Sequence, residues 1–137
     1  MDGMGGMEKN KRVPVVYVAG AYRGGTAWDV ELNIRRAECC ALEILRRGAV
    51  ALCPHTMYRY FDKSVPDDFV LGGLLQLLER CDAMFVVEGY QDSAGTLKEI
   101  EHAEQLGIPV IGTLMVLNYW ISKWSDGTDG TCGENII

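Results

Sequence analysis

The chain has 137 residues, which is the size of one ordinary domain, and 48% of them are apolar, enough to bury a full core. The formal net charge of -6 argues against the clustered basic face that a nucleic-acid polymer requires. No stretch approaches the roughly twenty apolar residues of a membrane helix. The expected partners are therefore small molecules, with no nucleic acid polymer and no membrane.

The two ends of the chain and the cysteines carry little regular pattern. Residues 1–12 mix glycine, methionine and charge, so we expect a flexible leader there. The five cysteines are an odd count without paired metal-ligand spacing. We therefore expect buried thiols in a reducing compartment, the cytoplasm, and no metal site.

Short β-branched runs alternate with longer helical patterns from Val13 onward, which is typical of βαβ units on a parallel sheet. Each run is nearly all apolar, as a strand covered on both faces should be. The strands are predicted over 13–19, 49–53, 83–87 and 109–112. The predicted fold class is α/β, a flavodoxin-like (Rossmann-like) three-layer sandwich with a parallel sheet of four to five strands.

Helical periodicity predicts three helices between these strands. The first presents Val30, Ile34 and Ile44 on its inner face and ends near Gly48. The second spans 69–80, after the capping residues Pro66, Asp67 and Asp68, and its leucines cover more than one stripe. That breadth predicts a homodimer or a higher homo-oligomer.

The third helix is predicted over 95–106, and the pattern weakens after residue 113. The segment "LMVLNYWISKW" is either a last strand or a last helix. The domain is therefore predicted to span 13–121, followed by a mobile tail over 122–137.

The loop after the first strand, "GAYRGGT", lies where ligands bind in open parallel sheets, beyond the carboxyl ends of the strands. Its glycines, Gly20, Gly24 and Gly25, would let backbone N–H groups approach an anion, and Arg23 offers bidentate contact. It is neither a Walker A motif nor GxGxxG. A tight turn with a solvated arginine explains the same residues, so both interpretations stay open.

Two further segments offer polar groups. In "SAGTLKE", Thr96 as an N-cap and Glu99 three residues later would form a capping box. Asp82, before the apolar "AMFVV", is either a solvent contact at a helix end or a carboxyl with a raised pKa. His55 could line a pocket with Tyr58 and Tyr60, whose rings suit a stacked base, although such a loop also suits a dimer contact.

Together, "VYVAGAYRGG", Asp82 before the third strand and "SAGTLKE" resemble the nucleoside 2-deoxyribosyltransferase superfamily. The first segment is most similar to the 2′-deoxynucleoside 5′-phosphate N-hydrolase branch, and the chain is also similar to small phage and bacterial relatives. The resemblance runs from about residue 13 to 113. It implies a cofactor-independent N-glycosidase that acts on a (2′-deoxy)nucleoside 5′-monophosphate through a glutamyl glycosyl-enzyme intermediate.

The resemblance also implies residue roles. Glu99 matches the glutamate nucleophile, and Asp82 matches the acid that protonates the departing base. Such a pair should lie roughly 5 Å apart, with the glutamate kept ionised by the helix dipole and Asp82 partly protonated. The expected substrate-binding residues are Gly20, Tyr22, Arg23, Gly24, Gly25, Ser93, Gly95, Thr96 and His55.

Three alternatives accompany this expectation. One is transfer of the sugar between bases, as in the nucleoside 2-deoxyribosyltransferases themselves. Another is the cytokinin-activating phosphoribohydrolases, which "AGTLKE" fits, although those chains are longer and show two glycines earlier in the motif. The last is a non-catalytic module that binds a nucleotide. In each case the partner is a small-molecule nucleotide or nucleoside.

Overall fold

The structure is a computed structural model that describes residues 12–125, and all structural statements concern that part of the chain. The predicted leader, except Arg12, lies outside it. Residues 126–137 of the predicted tail, which include Cys132, also lie outside it.

Four parallel strands form the sheet. They are β1 (Val15–Ala19), β2 (Val50–Leu52), β3 (Ala83–Val86) and β4 (Val110–Ile111), and their spatial order is β2-β1-β3-β4. In register, Val16 of β1 pairs with Ala51 on one side and with Ala83 on the other. The order reverses between β1 and β3, as in flavodoxin-like sheets. The predicted fold class is therefore confirmed, with four strands.

Helices cover both faces of this sheet. They are α1 (Ala27–Arg46), α2 (Pro54–Met57), α3 (Asp67–Leu78), α4 (Ala94–Gln105) and α5 (Leu114–Ser125). A capping box between Thr26 and Asp29 starts α1, and Gly48, at a φ of 98°, follows its end. Neither the short α2 nor a 3₁₀ turn over Tyr90–Asp92 was expected from the periodicity.

The core has one layer on each face because successive side chains of a strand point to opposite faces. Val16 and Val18 of β1 pack with α1 and α5, against residues such as Ile44 and Leu117. Tyr17 and Ala19 of the same strand point to the opposite face, which α3 and α4 cover. The result is the expected three-layer arrangement, with Tyr17 fully buried in the α3 and α4 layer.

The C-terminal segment is a helix, and its bounds revise the predicted domain end. Residue 121 lies inside α5, which continues to Ser125. The Trp124 indole N–H donates to the Arg12 carbonyl oxygen at 2.9 Å, so both lie in the folded part. The predicted boundaries at 12 and 121 therefore each exclude residues that pack on the domain.

Helix α3 is strongly apolar, yet Leu78 is its only fully buried residue. The homo-oligomer that its leucines suggest stays a prediction. Within residues 12–125, none of the helices has the length and apolar character that a membrane crossing requires.

Candidate active site

A cavity of about 840 Å³ lies beyond the carboxyl ends of β1, β2 and β3. The loop after β1 forms one wall, and α2 with the segment 58–74 forms a second. The start of α4 forms the third. This is the position at which sheets of this order bind ligands, because loops and helix N-termini converge there.

Glu99 is the buried carboxyl of the cavity, with 7% of its surface exposed. The Tyr17 hydroxyl donates a hydrogen bond of 2.5 Å to its Oε2. Burial raises the pKa of Glu99 to about 7, although the bond from Tyr17 partly opposes that rise. Burial and the adjacent Glu99 also raise the pKa of Tyr17, so that its hydroxyl stays a donor. Glu99 is therefore balanced between its neutral and ionised forms near neutral pH.

The start of α4 differs from the expected capping box. Ser93, not Thr96, is the N-cap, and its Oγ accepts a hydrogen bond of 3.2 Å from the Thr96 backbone N–H. Thr96 is then the third helical residue and its hydroxyl lies 2.8 Å from Ser93 Oγ. Glu99 lies in the second turn, so burial governs its pKa more than the helix dipole does. The expectation of a dipole-ionised Glu99 was wrong.

The helix start nevertheless offers an anion site. Ser93, Gly95 and Thr96 all line the cavity. Within residues 12–125, the backbone N–H groups of Ala94 and Gly95 have no hydrogen-bond partner, as is usual for the first residues of a helix. Free N–H groups at a helix start favour the binding of an anion.

Tyr22 and Arg23 lie at the rim, where polar contacts join the loop after β1 to the segment before α3. The Tyr22 hydroxyl donates to Asp62 Oδ1 at 2.9 Å. Arg23 forms an ion pair with Asp67, the first residue of α3. Both arginine and aspartate are largely exposed, with 78% and 60% of their side-chain surfaces accessible.

The three glycines of the first loop have separate positions. Gly20 lines the cavity, and a Cβ there would lie 2.7 Å from Val87 Cβ, so glycine permits the close approach of β1 and β3. Gly24 packs on Asp29 of α1, where a Cβ would lie 2.4 Å from the Asp29 Cβ. Neither Gly24 nor Gly25 lines the cavity. The structure thus brings only Gly20 of the three to the candidate site.

His55 lies at the start of the short α2 and lines the cavity, with 6% of its surface exposed. Its Nε2 donates to the Ala21 carbonyl oxygen at 3.0 Å, which leaves Nδ1 as the unprotonated ring nitrogen. Burial lowers the pKa of His55, so the ring is neutral at neutral pH. Within residues 12–125 its buried Nδ1 has no hydrogen-bond partner.

Asp82 does not line this cavity. It precedes β3 and therefore lies at the amino edge of the sheet, whereas Glu99 lies at the carboxyl edge. Both of its carboxylate oxygens accept hydrogen bonds of 2.9 Å from Arg12, and Oδ2 also accepts one of 2.8 Å from the Val15 N–H. The expected pairing of Asp82 with Glu99 in one site was wrong, because residues before and after parallel strands lie at opposite edges.

Sequence reasoning missed Tyr17, which contacts Glu99 without lining the cavity, and several residues of the second wall. Tyr17 sits inside β1, where a hydroxyl among aliphatic residues was the available indication that a polar partner lies nearby. The second wall could not be recognised from a local sequence pattern, because it combines an irregular segment with side chains of α3. Its additional residues include Phe61, Asp62, Val65, Asp67 and Phe69.

Acidic side chains outnumber basic ones around the cavity. Arg23 and Lys98 are its lysine and arginine residues, against the carboxyl groups of Glu99 and four aspartates, namely Asp62, Asp67, Asp68 and Asp92. Neither in the cavity nor elsewhere in the described residues is a cluster of three or more His, Cys, Asp or Glu side chains arranged to hold a metal ion.

Comparisons with known proteins agree with this architecture. A family model described as a domain of unknown function (DUF7768) matches residues 14–113. No curated protein matches the chain. Among solved structures, the fold is similar to that of a 2-deoxyribosyltransferase from the psychrotolerant bacterium Bacillus psychrosaccharolyticus, with a TM-score of 0.52 and 20% sequence identity. That similarity covers 71% of this chain and 69% of the other.

Proposed function

We propose an enzymatic function for this chain, which belongs to the family described as a domain of unknown function (DUF7768). The enzyme is an N-glycosidase that cleaves the bond between base and sugar in a (2′-deoxy)nucleoside 5′-monophosphate. The observation that carries the proposal is the buried Glu99 carboxyl, held by Tyr17 in a cavity at the carboxyl edge of the sheet. The fold shared with a 2-deoxyribosyltransferase supports the same class of chemistry.

Glu99 acts as the nucleophile. One carboxylate oxygen attacks C1′ of the sugar, the bond from C1′ to the base nitrogen breaks, and its electron pair leaves with the base. Water then attacks C1′ of the glycosyl ester, which releases the sugar 5-phosphate and restores the carboxylate. A pKa of about 7 leaves a large ionised fraction at neutral pH, and the Tyr17 hydroxyl holds the carboxylate in one orientation.

The departing base takes its proton from a group other than Asp82. The remaining carboxyl groups of the cavity lie at its rim, and Tyr22 and Arg23 already engage Asp62 and Asp67. Asp68 and Asp92 have no side-chain partner within residues 12–125, so they are the groups free to act as the acid.

The 5′-phosphate binds between the first loop and α4. The unpaired N–H groups of Ala94 and Gly95 supply backbone donors, and the Ser93 hydroxyl lies beside them. Arg23 and Lys98 line the same cavity and supply positive charge. The Arg23 guanidinium, which is paired with the Asp67 carboxylate in the structure, binds a phosphate with the same geometry.

A second candidate is transfer of a deoxyribosyl group between bases, with a nucleoside as substrate. The observation that favours it is the excess of carboxyl groups over cations around the cavity, which opposes a phosphate dianion. In that case the acceptor base replaces water in the second step. Because of this cavity charge, the first question to test is whether the substrate carries a phosphate.

The test is to incubate the chain with 2′-deoxynucleoside and ribonucleoside 5′-monophosphates, the matched nucleosides and an acceptor base, and to follow free base by chromatography. We expect base release from 2′-deoxynucleotides, lost by at least about 10³-fold in Glu99→Gln. Glu101→Gln, which changes an exposed residue of α4, is the matched control and should stay active. Full activity in Glu99→Gln would remove Glu99 as the nucleophile.

The products separate the other candidates. Exchanged nucleoside identifies a transferase, and ribose 5-phosphate identifies a phosphoribohydrolase. A nucleotide complex that stays intact on long incubation identifies a non-catalytic binding module. Arg23→Ala should weaken the use of nucleotides far more than that of nucleosides, and equal losses would contradict a role for Arg23 in phosphate binding.

We propose a cytoplasmic location as well. Cys39, Cys40, Cys53 and Cys81 are all free thiols, and Cys53 and Cys81 are buried as expected, whereas Cys39 is exposed and Cys40 only partly buried. Burial raises the pKa of Cys40 and Cys81 to about 11, so both are protonated and unreactive. Such residues suit a reducing compartment. Fractionation of cells that express the tagged chain tests this location directly.

A further inference from the structure

The ion pair between Arg23 and Asp67 bridges two walls of the cavity. Arg23 belongs to the loop after β1, and Asp67 is the first residue of α3, 44 residues away in the sequence. Both residues line the cavity. The pair therefore stands at the rim where a ligand enters.

Because both side chains of this pair are exposed, little free energy is needed to separate them. With 78% and 60% of the two side chains accessible, solvent screens their attraction, and such surface pairs are worth little free energy. Helix α3 also begins without a side-chain cap, since its N-cap is Pro66. After its release from Arg23, the Asp67 carboxylate is still stabilised by the start of α3, because the helix dipole attracts negative charge.

Arg23 is the single arginine around the cavity within residues 12–125, and it is already occupied by a carboxylate. Carboxylate and phosphate bind the guanidinium fork in the same way. The pair is formed by one guanidinium nitrogen, Nη2, so a phosphate that binds both arms of the fork must displace Asp67 from it, and then lies close to that displaced negative charge. A neutral ligand meets neither cost.

We propose that Asp67 is a specificity-determining residue, which competes with the phosphate of a nucleotide for Arg23 and so sets the preference between nucleotide and nucleoside. This inference rests on the proposed function, in which a nucleotide or nucleoside occupies the cavity. Asp67 lowers the affinity for the phosphorylated form by holding part of the Arg23 population in the paired state. The competition weakens at high salt, which screens both the ion pair and the repulsion.

The test measures binding in the Glu99→Gln background, where turnover does not interfere. The probes are the four 2′-deoxynucleoside 5′-monophosphates with adenine, guanine, cytosine and thymine, and their nucleosides, titrated by calorimetry. Asp67→Asn should tighten the binding of the nucleotide by about three- to tenfold and change nucleoside binding by less than about twofold. Glu101→Gln removes the same unit charge outside the cavity and should change neither.

A double-mutant cycle separates competition at Arg23 from a general charge effect. In an Arg23→Ala background, Asp67→Asn should no longer tighten nucleotide binding. The same gain with and without Arg23, or no gain at all while the wild-type chain still turns over nucleotides, overturns the role of Asp67 alone. Failure of every variant to bind any nucleotide, with nucleosides bound, overturns both this role and the proposed phosphate specificity.

Discussion

Tyr17 and Glu99 lie 82 residues apart in the sequence, and the Tyr17 hydroxyl donates a 2.5 Å hydrogen bond to the Glu99 carboxyl. The bond joins the middle of β1 to the second turn of α4. It partly offsets the effect of burial, which alone would move the pKa of Glu99 further above its ordinary value. Strand β1 thus controls the charge of the candidate nucleophile directly.

Tyr17→Phe should raise the pKa of Glu99, because the ionised carboxylate loses its hydrogen-bond donor. If Glu99 is the nucleophile, kcat/KM at pH 7 should fall about tenfold and recover at higher pH. The pKa is measured by carbon-13 NMR of the Glu99 carboxyl carbon. Tyr119→Phe, which removes an exposed hydroxyl on α5, should leave the titration unchanged. An unshifted Glu99 titration in Tyr17→Phe would contradict the role of this bond.

Glu99→Gln should stabilise the chain at alkaline pH. Glu99 binds its proton more tightly when folded, at a pKa of about 7 against the ordinary 4.5, so its contribution to stability falls as pH rises from 4.5 to 7. Above that range the cost of burying the ionised Glu99 carboxylate is fully expressed, and it lowers the free energy of unfolding by roughly 3 kcal/mol. Urea unfolding should therefore show Glu99→Gln near the wild type at pH 4 and more stable by that amount at pH 8.

The matched control for this stability prediction is Glu101→Gln, since Glu101 is exposed on the same helix. It should change the free energy of unfolding little at either pH. A Glu99→Gln variant that is less stable than the wild type at pH 8 would show that the buried carboxylate carries no such penalty.

The fold followed from the sequence because doubly covered strands and amphipathic helices have distinct periods. The same pattern identified the loops at the carboxyl edge, and eight of the expected residues line the cavity: Gly20, Tyr22, Arg23, His55, Ser93, Gly95, Thr96 and Glu99. Gly24 and Gly25 of the same loop do not line it, and the assignment of Asp82 failed because it ignored strand direction. Asp82 precedes β3 and faces the amino edge, which the topology alone would have indicated.

The second wall of the cavity could not be predicted from the sequence for a different reason. The segment 58–66 has no repeating pattern, and Tyr60 and Lys63 adopt positive φ angles of 66° and 71° without being glycines. Tertiary contacts hold Tyr60 in place, including the bond from its hydroxyl to Glu31 at 2.6 Å. Local propensity therefore placed Asp67 at the start of a helix but gave no indication that it or Phe61 would form a cavity wall.

Asp82→Ala should destabilise the chain without impairing catalysis. The substitution leaves the Arg12 guanidinium without its carboxylate and the Val15 N–H without its acceptor, at a cost of about 2 kcal/mol. Arg12→Ala leaves the Val15 bond in place and should cost less, because Arg12 is largely exposed. Thermal unfolding measures both losses, and kcat well below the Tm should stay within about twofold of the wild type. A large loss of kcat with unchanged Tm would instead return Asp82 to the catalytic machinery.

Gly20→Ala should destabilise the chain, whereas Gly25→Ala should not, although both glycines lie in one loop. A Cβ at Gly20 would lie 2.7 Å from Val87 Cβ, so β1 and β3 must separate where they meet the cavity, at a cost of about 1–3 kcal/mol. At Gly25 the nearest atom is Asp29 Oδ2 at 3.6 Å, an ordinary contact. Alanine there restricts the unfolded chain and should be neutral or stabilise by up to about 1 kcal/mol. Urea unfolding of the two variants compares them directly, and equal stability would show that Gly20 is not needed for strand packing.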